Sequence, residues 1–194
     1  IDDSVDVDFD DELSVELDDG GYAGAPTQEF ILPANLAEYL DTTLAPGEEY
    51  ELQLDTLNHL SYCRRKGSWD RTESFVSETD YPEALARFVH RMVEHAHVTA
   101  GRLTEYRGLT GAYARRMEAA FDDEIRVTDL RQDEALIEGL RELAYTGQVA
   151  GLDAAPENIQ GALSFCGAEL DRVRDPEASD DLRDEVASDM LQTL

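Results

Sequence analysis

The chain has 194 residues, of which 44 are Asp or Glu and 16 are Lys or Arg, for a formal charge of −28. With 42% hydrophobic residues it is globular in composition, and at ~150 residues a compact chain already buries ~70% of its unfolded surface, so a packed core is expected. Two cysteines far apart, Cys63 and Cys166, with no C-x-x-C exclude a disulfide framework or a Cys-based zinc site; the longest uncharged run, Asn158 to Ala168, is far short of the ~20 apolar residues of a membrane span.

In chain order, Val5, Val7 and Phe9 alternate with Asp6, Asp8 and Asp10, and Leu13, Val15 and Leu17 alternate with Ser14, Glu16 and Asp18. A period of two predicts half-buried strands joined across Asp10–Glu12; the rival reading of residues 1–19 is an acidic disordered arm, because Asp is a poor strand former. Gly20-Gly21 and Gly24-Ala25-Pro26 mark a loop. Then come Phe30-Ile31-Leu32-Pro33, a short helical pattern through Leu36, Tyr39 and Leu40, the turn Pro46-Gly47-Glu48, and an alternating run from Tyr50 to Asp55. This strand–helix–turn–strand order over residues 30–55 resembles the swapped-hairpin domain of the SpoVT/AbrB family of dimeric DNA-binding regulators. The resemblance implies a hairpin and a dimer; the stretch contains no Lys or Arg, the residues through which that family generally meets DNA.

From residue 80 the period is that of helices. Asp80-Tyr81-Pro82-Glu83 has the form of a capping box, followed by a stripe of Leu85, Val89, Met92, Ala96 and Leu103 that ends near Arg107-Gly108. Further patterns use Leu109, Tyr113, Met117 and Phe121, then Leu136, Ile137, Leu140 and Leu143 up to Gly147. After Pro156, Ile159, Leu163, Cys166, Leu170 and Val173 follow 4-3-4-3 spacing, and Leu182, Val186 and Met190 mark a last helix. The expected architecture is therefore α+β. It has an acidic β-rich unit over 1–63, a basic connecting segment over 64–79, and an antiparallel bundle of four or five helices over 80–194.

Charge follows the same division. Residues 1–63 hold 17 acids and no Lys or Arg; residues 64–116 hold 10 bases and 7 acids; residues 117–194 hold 6 bases and 20 acids. Fifteen of the bases are Arg and only Lys66 is Lys. Excess carboxylate with scarce Lys resembles the cytoplasmic proteome of extreme halophiles, where a Debye length of ~3 Å at ~1 M salt screens self-repulsion.

Two constellations stand out. Arg64, Arg65, Lys66, Trp69 and Arg71, preceded by Tyr62, combine cations with an aromatic face, a pattern suited to phosphate or to an acidic partner. His90, Glu94 and His97 lie at i, i+4 and i+7 on one helix face, and two imidazoles with a carboxylate can hold zinc or iron; no second Glu-x-x-His completes a di-iron set. His59 and Cys63 are near in sequence. No P-loop, dinucleotide fingerprint or Gly-x-Ser-x-Gly elbow is present, so no cofactor and no catalytic residue is assigned. The leading expectation is a non-enzymatic binding or assembly protein of a halophile or its virus, cytoplasmic or virion-associated. Its partner would be a second copy of itself or another protein, with no membrane span and no signal peptide. The alternatives are a nucleic-acid-associated regulator acting through Arg64–Arg71 and a metal-dependent bundle enzyme using His90, Glu94 and His97.

Overall fold

A computed structural model describes the backbone of residues 6–10, 29–33, 48–66, 68–121 and 127–194. The architecture is helical, which corrects the α+β expectation. Seven α-helices occur among the described residues: α1 (Glu48–Lys66), α2 (Ser68–Glu78), α3 (Glu83–Glu105), α4 (Thr110–Ala120), α5 (Gln132–Thr146), α6 (Glu157–Val173) and α7 (Asp180–Thr193). The only strand pairing among those residues is a parallel ribbon of two five-residue segments, β1 (Asp6–Asp10) and β2 (Glu29–Pro33), too small to form a sheet layer. Asp6–Asp10 thus pairs with a segment distant in sequence; the expected pairing across Asp10–Glu12 involves residues outside those described. Leu13–Leu17 and the helical pattern through Leu36, Tyr39 and Leu40 lie outside the described residues.

The decisive correction is at Tyr50–Asp55, which alternates like a strand but lies in α1. Its first turns carry Glu48, Glu49 and Glu51 and its last turn carries Arg64, Arg65 and Lys66, the charge order that a helix dipole favours. The buried positions Asp55, Asn58, His59, Tyr62 and Cys63 recur at helical spacing. Three of these five are polar, so the period is invisible to a count of apolar residues. Residues 68–78, expected to form part of a connecting segment, are helical as α2.

α3 runs through the centre. It is buried on nearly every side, with Val89, Val93, Ala96 and Val98 alongside His90, Glu94, His95, His97 and Arg102. Its N-cap is Pro82, without a side-chain cap, so the Asp80 capping box is not formed. The α6 seam is buried at all five expected positions, from Ile159 through Val173. Gly147 closes α5 at φ 84°, a left-handed position that suits glycine. The core joins Phe75 of α2, Val89 and Val93 of α3, Leu140 of α5, Leu163 and Leu170 of α6 and Val186 and Met190 of α7.

The bundle is not uniformly antiparallel. Gly139 of α5 lies against Leu163 of α6, Leu143 against Gly167, and Gly147 against Arg174 just beyond α6. The contacts advance in the same direction along both helices, so α5 and α6 run parallel. The intervening Gln148–Pro156 segment, with its short 3-10 turn at Leu152–Ala154, returns the chain to the starting end.

Candidate functional site

The basic segment divides at the junction of α1 and α2. Arg65 and Lys66 are exposed; Arg65 pairs with Glu105 at 3.1 Å and stands 4.5 Å over the Tyr62 ring, with Lys66 Nζ 5.6 Å from the same ring. Arg64 is half-buried, its Nη1 without a hydrogen-bond partner among the described residues. Trp69 turns inward and packs with Tyr106 on the cluster of Tyr62, Cys63 and Val98. Arg71 also points into the bundle. It reaches Asp180 at 2.7 Å, Asp184 at 2.8 Å and Glu94 at 3.7 Å. Of the five residues singled out, only Arg65 and Lys66 form an exposed cationic pair.

His90, Glu94 and His97 are all buried, and their polar atoms point to separate partners. His90 Nε2 is 3.0 Å from Asp184 Oδ1 and its Nδ1 is 3.0 Å from Thr72 Oγ1. Glu94 Oε1 lies 2.8 Å from Arg183 Nε, and His97 Nδ1 donates to the Val173 carbonyl at 3.0 Å. Among the described residues no group of three or more His, Cys, Asp or Glu side chains is arranged to hold a metal ion. The expected helical spacing is present, but a central helix sends one face towards several neighbours. Burial lowers the pKa of both histidines; Arg183 adds to the effect at His97, while Asp184 opposes it at His90.

Three-helix contacts therefore build a clasp: Glu94 of α3, Arg71 of α2, and Arg183, Asp180 and Asp184 of α7. A second, more deeply sealed cluster joins α1, α3 and α4. Asp55 pairs with Arg102, both fully buried, and with Arg116 at 2.9 Å. The Tyr113 ring centroid is 5.1 Å from the Arg102 guanidinium carbon and 5.5 Å from that of Arg116, and burial pushes its phenol up to about 12. Beside it His59 and His95 approach at 5.0 Å between ring centroids, and His95 stacks on Tyr145 at 3.7 Å. Both imidazoles are driven well below their ordinary range. Burial is the main cause; for His59 the next is His95, and Arg102 and Arg116 depress both.

Cys63 Sγ is 3.5 Å from His59 Nε2, so the two are indeed neighbours. Burial is the chief force raising the thiol far above its usual range, with the Glu94 charge adding to it. The pair is thus a thiol beside a neutral imidazole, the reverse of what an activated nucleophile needs.

Sequence reasoning does not single out Asp55, Arg102, Arg116, Arg183 or Asp184, and it passes over His95. A signal is present: Asp55 and His59, and His95, Thr99 and Arg102, are spaced by three or four along helices, but carboxylates and arginines at that spacing read as solvated faces. No protein-family model, no curated protein and no solved structure matches this chain.

Proposed function

We propose that this chain is a non-enzymatic association protein that meets an acidic surface through the cationic end of α1, the surface belonging to a second copy or to another protein. The observation that carries the reading is the exposed pair Arg65 and Lys66 on the Tyr62 ring, standing in a block of net +3 within a chain of −28. A copy of the same chain supplies matching charge, because residues 1–63 contain 17 acids and no Lys or Arg. A salt-rich cytoplasm or a virion is the setting this composition suits. In molar salt such pairing is screened within ~3 Å, so close contact rather than distant attraction must hold the partner. Among the described residues no helix is long and apolar enough to cross a membrane.

Nucleic acid is the less favoured partner. Stacking needs an open aromatic face, but Tyr62 is buried and Trp69 is packed inward. The test is light scattering and cross-linking of the whole chain in molar salt, with and without cell extract, against Arg65→Glu/Lys66→Glu. Self-association or protein capture that the double variant loses supports the reading. A strict monomer that captures no protein, or capture unchanged by the charge reversal, overturns it; retention on nucleic acid alone transfers the site to the regulator alternative.

A further inference from the structure

Arg102 is a fully buried guanidinium with too few acceptors among the described residues. Its Nη1 donates to the Asp55 carboxylate and, at 3.4 Å, to the Asp55 carbonyl. Its Nε and Nη2 have no hydrogen-bond acceptor among the described residues. Those two nitrogens carry three N–H groups, and the side chain cannot shed its charge to reduce the demand.

Arg116 does not relieve this. It binds the same Asp55 carboxylate and, at 3.4 Å, the Thr56 hydroxyl. Two guanidiniums thus share one carboxylate, and among the described residues no second carboxylate pairs with either. The neighbouring titratable groups add neither a negative charge nor a further positive one. Tyr113 presents its ring to both cations and keeps its proton, and His59 and His95 stay neutral. Among the described residues the cluster thus carries a net positive charge, and a buried charge is tolerated when it is paired.

We propose that Arg102 and Arg116 hold a single compact monoanion, chloride being the most available inorganic one, which completes the balance that Asp55 begins. The charge argument selects a monoanion, since a phosphate or sulfate dianion would replace an excess of +1 by an excess of −1. The unanswered N–H groups select an acceptor-only ligand, which a cation is not. Full burial of Arg102 selects a compact one, with Arg116, whose side chain is 18% exposed, as the route from solvent. This site is independent of the partner surface at Arg65 and Lys66.

The test is thermal unfolding of the full chain with chloride exchanged for gluconate at constant ionic strength. Bulkier, more strongly excluded gluconate stabilises a protein with no anion site at least as well as chloride does. The expected result is the opposite order, an unfolding temperature that climbs and saturates with chloride. The difference should vanish in Arg116→Gln, which leaves Asp55 and Arg102 charge-balanced, and persist in Arg131→Gln, an exposed control paired with Asp133. Should Arg116→Gln fail to fold, chlorine NMR line broadening by the parent protein detects the bound ion without a variant. Equal melting in both salts, no broadening, or a chloride effect that survives in folded Arg116→Gln overturns the proposal.

Discussion

The two halves of α3 solve the same problem, a charged side chain in the middle of a bundle, in different ways. In the first half Glu94 is met by Arg183 and, more distantly, Arg71, and that group opens to water through Asp180 and Asp184, whose side chains are 63% and 41% exposed. In the second half Asp55 and Arg102 are both fully buried and only Arg116, 18% exposed, reaches towards solvent. The first cluster has carboxylates to spare and a solvent path; the second has cations to spare and scarcely any. Buried charges cost several kcal/mol each to desolvate and are tolerated only when paired, so the first arrangement is forgiving of change and the second is not.

The largest expected effect tests that contrast directly. Asp55→Ala removes the one carboxylate that, among the described residues, pairs with both guanidiniums and should cost ~5 kcal/mol, the upper end for breaking a buried pair. Arg183→Ala breaks the nearest partner of Glu94 but leaves Arg71 at 3.7 Å and a path to water, so ~3 kcal/mol is expected. Urea unfolding of the two variants decides the order. Equal costs would mean that solvent reaches both clusters alike, and a smaller cost for Asp55→Ala would remove the contrast.

Acidification should separate the halves again. His59 and His95, in the sealed half, have pKa values held well below the ordinary 6.5, while His90 is lowered against the pull of Asp184. A lowered folded-state pKa means that the unfolded chain binds more protons, so stability rises with pH. The contribution is intact above 6.5 and is lost progressively as pH falls below it. Urea midpoints between pH 7 and pH 5, in molar salt to suppress changes in self-repulsion, should therefore fall. The fall should flatten more in His95→Gln than in His90→Gln; equal flattening would place both imidazoles in equivalent surroundings.

These clusters also show what can be read from the sequence and what cannot. The late helices are legible because their buried faces are apolar: Ile159, Leu163, Cys166, Leu170 and Val173 announce α6 by spacing alone. α1 is not, because a face built from Asp55, Asn58 and His59 looks solvated, and Tyr50–Asp55 happens to alternate. Spacing places His90, Glu94 and His97 on one face but cannot show that α2, α6 and α7 divide that face among them. Nor can it pair Asp55 with Arg102 across 47 residues, since in a chain with 44 acids no one carboxylate stands out. Charge segregation persists in the fold in reduced form: the basic segment keeps Arg65 and Lys66 outside and surrenders Trp69 and Arg71 to the interior.

The smallest effect marks where the open cluster ends. Arg71 joins the clasp from α2, yet its nearest partners, Asp180 and Asp184, are substantially exposed. Exposed pairs contribute ~0–1 kcal/mol, so Arg71→Ala should cost about 1 kcal/mol at low salt. Because those partners are in water, raising the salt to molar concentration should reduce this cost to within error. The cost of Arg183→Ala should hardly change, because Arg183 and Glu94 are about 3–4% exposed and ions cannot come between them. Urea midpoints for both variants at low and molar salt supply the comparison. If the two costs shrink together, salt reaches Glu94 itself, the clasp is a surface network throughout, and the distinction between a forgiving and an unforgiving half of α3 rests on Asp55 and Arg102 alone.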